Sequence, residues 1–276
     1  MQALLISLQS EFYKSRKTLA FWAAILLPLV ICGLIASGTF FQAEKILKMN
    51  YPPNVLWLNY AGAALGIMGS LILPFYVIFM AFSVNNIEHK NDTWKTLFAQ
   101  PLNKFSIYAA KYLFAVLLIF ICLVLFLLLT YGSGLLLHEL ESRLKFEAYS
   151  PWTLLSRLYL KLFLASLGIL SLQFFISLVW ADFLKPMGFG FIGLISGLIT
   201  ASKGWEYAYT IPYAHPVMAL SLKKPGPVEI FTQEIYSSLT YAVVFFVIGY
   251  FIVAKKSIKE GLRPFQNMFL VLFAQF

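Results

Sequence analysis

The sequence predicts an all-α integral membrane protein. Its parts are six transmembrane helices, an N-terminal amphipathic interfacial helix, and a re-entrant outer segment between helices five and six. Three observations carry this. First, 60% of the residues are apolar or aromatic, and only 12% are charged. A soluble domain carries about 25% charged residues, so there is too little charge here to coat a water-facing surface. Second, six stretches contain no Asp, Glu, Lys or Arg: 19–41, 61–84, 112–137, 162–181, 187–202 and 235–254. The 21 Lys+Arg and 12 Asp+Glu all fall outside them. Third, five of these stretches reach the length of about 20 residues at which a helix crosses about 30 Å of hydrocarbon. The exception, 187–202, rises only about 24 Å at 1.5 Å per residue. It must thin the bilayer, extend into neighbouring sequence, or stop short of crossing. Barrel strands are excluded because they alternate polar and apolar residues, whereas 113–129 is almost uninterruptedly apolar.

The domain layout follows in chain order. Residues 1–18 form an amphipathic helix at the cytoplasmic face: Leu4, Leu8 and Phe12 stack at i, i+4 and i+8 beside Leu5, while Glu11, Lys14 and Lys17 fall elsewhere on the wheel. Such a helix lies in the headgroup plane. Its charges and the length of the apolar run after it argue against a cleaved signal peptide. Residues 19–259 form the six-helix transmembrane domain, and 260–276 a C-terminal tail whose apolar run is too short to span. With the N-terminus inside, the cytoplasmic pieces hold 12 Lys+Arg against 9 in the outer loops. Lys14, Arg16 and Lys17 abut helix one, and Lys255 and Lys256 abut helix six. The positive-inside rule therefore places both termini in the cytoplasm.

The second cytoplasmic connection, 85–111, holds Trp94, Leu97 and Phe98 in a short helical pattern stopped by Pro101, because proline disfavours helix at the residue before it. Apolar side chains on such a connection need a surface to pack on: the membrane, or a docked protein. Of the outer loops, 138–161 mixes charges and turns at Ser150-Pro151. The other, 203–234, holds Pro212, Pro216, Pro225 and Pro227 with Trp205, Tyr207, Tyr209 and Tyr213. A short helix followed by proline and tyrosine suggests a re-entrant hairpin, tolerated where protein covers it. Gly62, Gly66 and Ser70 in helix two, and Gly193 and Gly197 in helix five, are spaced for close helix contact.

Catalytic chemistry is scarce. His89, His138 and His215 have no metal-ligand spacing, and there is no nucleophile elbow or phosphate-gripping loop. Cys32 and Cys122 read as small apolar side chains. Acids, bases and His inside a bundle usually mark ion and proton pathways. Here Lys111, Asp182 and Glu234 sit only at span edges, and Gln173 is the strongest interior polar residue. The pattern suits a path for an apolar or amphipathic substrate, powered from elsewhere.

Over 1–259 the chain resembles the permease subunits of ABC-2-type exporters. These have an elbow helix, six spans, a coupling segment between spans two and three, and a re-entrant outer region. The coupling segment carries the local likeness: Glu88, Asp92-Thr93, Leu97-Phe98, Pro101 and Lys111, with Asp92 where the family usually has Gly. The run 11–17 with Trp22 and Pro28 is similar to the branch of lantibiotic-immunity and bacitracin-type permeases. The resemblance implies an ABC ATPase partner docked on Glu88, Asp92, Trp94, Leu97, Phe98 and Pro101. It also implies ATP-Mg on that partner and no cofactor in this chain, together with a second permease copy or a sister permease. Membrane lipids are partners and nucleic acid is not. The location implied is the bacterial cytoplasmic membrane, and the substrate an antimicrobial peptide or lipid-like compound. The alternative is a non-transporting scaffold or sensor anchoring a cytoplasmic partner. A lipid-modifying enzyme built on Glu139/Glu141, or on His215 with Glu206, has no supporting spacing.

Overall fold

A computed structural model describes residues 2–91, 93–99, 101–221 and 228–255. The described residues are mostly helical, with no strand among them. Helix α1 (Gln2–Ser15) leads into α2 (Leu19–Phe41) and a short α3 (Ala43–Lys48). Then come α4 (Pro53–Ile67), α5 (Leu73–Asn91), α6 (Trp94–Ala99) and α7 (Lys104–Leu140). The rest is α8 (Trp152–Val179), α9 (Leu184–Ser202), α10 (His215–Leu220) and α11 (Gln233–Lys255). Among the described residues, six helices are long and apolar enough to span: Leu19–Phe41, Pro53–Asn91, Lys104–Leu140, Trp152–Val179, Leu184–Ser202 and Gln233–Lys255.

Several helices run past the charge-free stretches. Span two is one rod of 39 residues, in which α4 and α5 are joined by a π-helical turn at Met68–Ile72. Span three has 37 residues. Helix formation does not require an apolar side chain, and at these ends Glu88 and Lys111 find each other inside the protein, while Lys90 and Glu139 stay exposed. The short fifth stretch extends backwards to Leu184. At 19 residues it rises about 28 Å, close to the thickness of the hydrocarbon. Asp182 assists by accepting from the Leu184 amide at 3.0 Å, an N-terminal cap on an otherwise open helix end.

The core lies along α8, the most enclosed span. Leu162, Ile169, Leu170, Phe174 and Leu178 are fully buried against α5, α7 and α11. A second cluster closes the end of the bundle that carries α3. There the Trp57 indole donates to the Phe146 carbonyl at 2.7 Å and stacks on Tyr131.

The leader meets the bundle through a second stripe, which is polar. Leu5, Ile6, Phe12 and Tyr13 are exposed, and the face turned to the bundle is Ser7, Glu11 and Ser15, again at i, i+4 and i+8. Leu4 and Leu8 are half-buried, with Leu8 against the core, and the polar stripe meets the protein because Lys111 and Glu88 wait there.

The glycines divide by what they touch. Cβ atoms at Gly62 and Gly66 would meet nothing within 4 Å, so neither glycine makes a close helix contact among the described residues. In α9, a Cβ at Gly197 would come within 2.6 Å of the Tyr213 backbone carbon, and Gly193 faces the Tyr213 ring. Between α9 and α11 the chain makes 3-10 turns at Ala208–Thr210 and Pro212–Ala214, then α10. Pro212, Tyr213, Ala214, His215 and Pro216 are buried. Gly69 of the π-turn lies against Leu220 of α10. Pro225, Pro227 and the tail 260–276 lie outside the described residues.

Candidate functional site

At the end of the bundle that carries α1, three helices meet around four charges. Lys111, seven residues into α7, is buried and donates to Glu11 Oε2 at 2.9 Å, to Glu88 Oε2 and to the Val84 carbonyl at 3.3 Å. Lys14 donates to Glu11 Oε1 at 2.8 Å and Glu88 Oε1 at 3.0 Å. Each carboxylate thus gives one oxygen to each ammonium, and the ring is closed and neutral. A lone charge buried at this depth is very costly, and only pairing with full hydrogen bonding makes it tolerable. Lys14 closes the ring on its solvent side, with 27% of its side chain exposed. Burial pulls the Lys14 ammonium down, but Glu11 and Glu88 outweigh it and hold its pKa above the usual lysine value.

The same helix end is fastened to α8. Asn85 Nδ2 donates to the Phe174 carbonyl at 3.1 Å and to Ser177 Oγ at 2.8 Å. His89 Nε2–H donates to the Ser177 carbonyl at 3.1 Å. The Thr93 amide then bonds the Glu88 carbonyl at 3.1 Å, which folds the chain back into α6. Trp94, only 5% exposed, lies with its ring 5.6 Å from Lys111 Nζ and 5.7 Å from the His89 ring. A cation over an indole face is a favourable contact. Asn103 caps α7 by accepting from the Phe105 amide at 2.9 Å, and Lys104 Nζ donates to the Ala254 carbonyl at 3.2 Å, near the end of α11.

The sequence-predicted docking residues therefore separate. Glu88 and Trp94 come together around Lys111 and face inward. Leu97 is half-buried, and Pro101 is exposed in the turn before α7. Asp92 lies outside the described residues, as does the side chain of Phe98, whose backbone is in α6. Sequence reasoning missed Glu11 and Lys14 as site residues. Their signal was present: Ser7, Glu11 and Ser15 form a polar stripe inside an amphipathic helix, and Lys111 is a lone charge at the edge of a long apolar run.

Elsewhere, Gln173 Nε2 donates to the Tyr213 hydroxyl at 2.5 Å, so this interior amide holds the α9–α11 segment. Lys161 pairs with Glu234 at 3.0 Å where α8 meets α11. An apolar cleft of about 590 Å³ opens between α2 and α7 at the α3 end, with Gly33, Ala36, Phe40, Gly132 and Leu140 among its lining residues. Among the described residues no three His, Cys, Asp or Glu side chains are grouped as a metal cage needs.

No curated protein and no solved structure matches the chain. The family model described as ABC-2 family transporter protein matches residues 7–197. That span takes in the polar stripe of α1, the ring, α6 and the first four spanning helices. The chain belongs to the ABC-2 transporter family, as a membrane component of transport.

Proposed function

We propose that this chain is the permease subunit of an ATP-driven exporter in the bacterial cytoplasmic membrane, with both termini cytoplasmic. It moves an amphipathic or apolar substrate, of the class of antimicrobial peptides or lipid-like compounds, out of that membrane. ATP-Mg is bound and hydrolysed on a separate ABC ATPase docked on the connection 85–101. The permease works as a pair, with itself or a sister chain, and the segment after α9 is a re-entrant outer hairpin. The observation that carries this reading is the mounting of α6. Trp94 fixes it to a charge ring shared by α1, α5 and α7, so a push on α6 reaches three helices at once. Two bundle arrangements biased by nucleotide on the partner then suffice for transport. The apolar walls between the helices, including the cleft between α2 and α7, favour an apolar cargo over an ion.

The test is reconstitution in vesicles with the cognate ATPase. Nucleotide-dependent export of a fluorescent lipid-tailed peptide is expected from the complex, and none from the chain alone. Capture of the ATPase without transport of any amphipathic probe would favour the scaffold reading instead.

A further inference from the structure

The cleft between α2 and α7 has the section of a single hydrocarbon chain. It is lined from 29 to 41 on α2 and from 128 to 140 on α7, and twelve steps of helix rise about 18 Å. Its volume of about 590 Å³ spread over that length is a mean section of about 33 Å², less than half the roughly 80 Å² of a helix about 10 Å across. Another spanning helix is therefore too thick to lie in it. An extended alkyl chain is not: a bond of about 1.5 Å at about 111° advances it by about 1.25 Å, so about 14 carbons run the length of the cleft. One leaflet offers about 15 Å of hydrocarbon, half of the bilayer's 30 Å or so.

The walls select the same occupant by their chemistry. Cβ atoms at Gly33 and Gly132 would meet nothing within 4 Å, so these glycines hold space open and make no close contact. The polar side chains of the lining already have partners inside the chain. Ser37 Oγ donates to the Leu34 carbonyl at 3.0 Å. Ser133 Oγ donates to the Leu129 carbonyl and lies 2.6 Å from the Tyr60 hydroxyl. Cys32 Sγ lies 3.6 Å from Thr130 Oγ1. No charged residue lines the cleft among the described residues. A peptide or sugar seated here would leave its own polar groups unpaired, which hydrocarbon surroundings punish heavily. Leu29, Phe40, Phe41, Leu128 and Leu136 of the lining are exposed, on helices long and apolar enough to span, so the cleft is open to lipid. Charge appears only past its end. Two residues after Phe41, α3 begins, and its Lys45 and Lys48 are exposed and in no ion pair among the described residues. Glu44, the acid of that helix, lies near Arg143.

We infer that the cleft holds one acyl chain of a bilayer phospholipid, whose phosphate meets Lys45 and Lys48 of α3. The chain enters sideways from the leaflet on the α3 side and fills the gap that the small residues of α2 and α7 leave. This site does not depend on the export reading, because its occupant is a lipid of the surrounding membrane and not the cargo.

The experiment takes the full-length chain in digitonin micelles and counts bound molecules by native mass spectrometry. The probes are lysophosphatidylcholines with tails of 8, 14 or 18 carbons, and an alkyl maltoside with a 14-carbon tail. Wild type should hold one molecule of either longer lipid, and far less of the 8-carbon lipid or of the maltoside. Gly33→Leu and Gly132→Leu put a side chain into the cleft and should hold none. Both should melt no lower than wild type without lipid, since their Cβ atoms meet open space. Gly62→Leu, on an open face of α4, should bind as wild type does. Changing Lys45 and Lys48 together to Gln should weaken lysophospholipid binding about fivefold, near the upper end for an exposed ion pair, and leave the maltoside unaffected. Equal lipid counts in wild type and both leucine variants would overturn the site, and so would counts indifferent to tail length, a comparison that needs no substitution. Maltoside held as firmly as the lysophospholipid of equal tail would remove phospholipid as the occupant. A wild-type dimer that falls to monomer in the leucine variants, with bound lipid unchanged, would give the cleft to a second copy and contradict the inference.

Discussion

Glu88 and Lys111, on different spanning helices and each with about 1% of its side chain exposed, form an ion pair inside the protein. Together with Glu11 and Lys14 they tie α1 to α5 and α7. The two lysines are not equivalent, and that difference is measurable. Removing one partner of a buried pair costs about 3–5 kcal/mol, so Lys111→Met should lower thermal stability in detergent sharply. Lys14 is partly exposed, so water can reach the place its ammonium leaves, and its loss should cost less than that of Lys111. Adding Glu11→Gln to Lys111→Met leaves Glu88 with Lys14, a neutral pair, and should recover part of the loss. Because the Lys14 pKa is raised above 10.5, its contribution is complete below that pH and fades only as pH climbs through the folded value. Equal effects of the two lysine substitutions would contradict the ring.

Gly197 and Gly62 offer a matched comparison. A Cβ at Gly197 meets the backbone of Tyr213 and Ala214, which cannot swing aside. Gly197→Ala should destabilise by about 2 kcal/mol, as overpacking does, and should loosen the segment that follows α9. At Gly62 there is open space. Gly62→Ala should leave the isolated chain unchanged or stabilise it by up to about 1 kcal/mol through helix propensity. Limited proteolysis after Lys203, read beside thermal unfolding, checks both.

His215 should make the segment after α9 acid-sensitive. Its Nε2–H donates to the Tyr209 carbonyl at 2.7 Å, its ring lies 6.2 Å from that of Tyr241, and Glu234, paired with Lys161, is close by. Burial holds its pKa below 6.5, against smaller upward pulls from the Tyr209 carbonyl and Glu234. A pKa lower in the folded than in the unfolded chain means stability is present above pH 6.5 and lost as pH falls from there towards the folded value. Wild type should lose thermal stability over that interval more steeply than His215→Gln. Parallel pH profiles would remove His215 as the cause.

What the sequence revealed depended on whether a residue's neighbours were sequence neighbours. The spans were legible because hydrocarbon selects by composition along one helix. Their ends were not: Lys111 and Glu88 look like borders until Glu11, 100 residues before Lys111, supplies the missing charge. Trp94 was legible as a residue that must pack. Its seat on Lys111 and His89 was hidden, because the fold of α6 against its own bundle is set by tertiary contacts. The apolar stripe of α1 was easy to see along one helix, but the polar stripe Ser7, Glu11 and Ser15 that meets the bundle gains its meaning only from Glu88 and Lys111, which are distant in sequence.

The most direct test of the account is on Leu97, the half-buried apolar residue of α6 that the ring does not use. Buried interface anchors commonly cost about 2 kcal/mol or more when lost, roughly 30-fold in affinity. Leu97→Asp should therefore lose capture of the cognate ATPase by at least that factor, while the permease keeps its wild-type melting temperature. Undiminished capture by a folded Leu97→Asp permease would contradict the assignment of 85–101 as the coupling element.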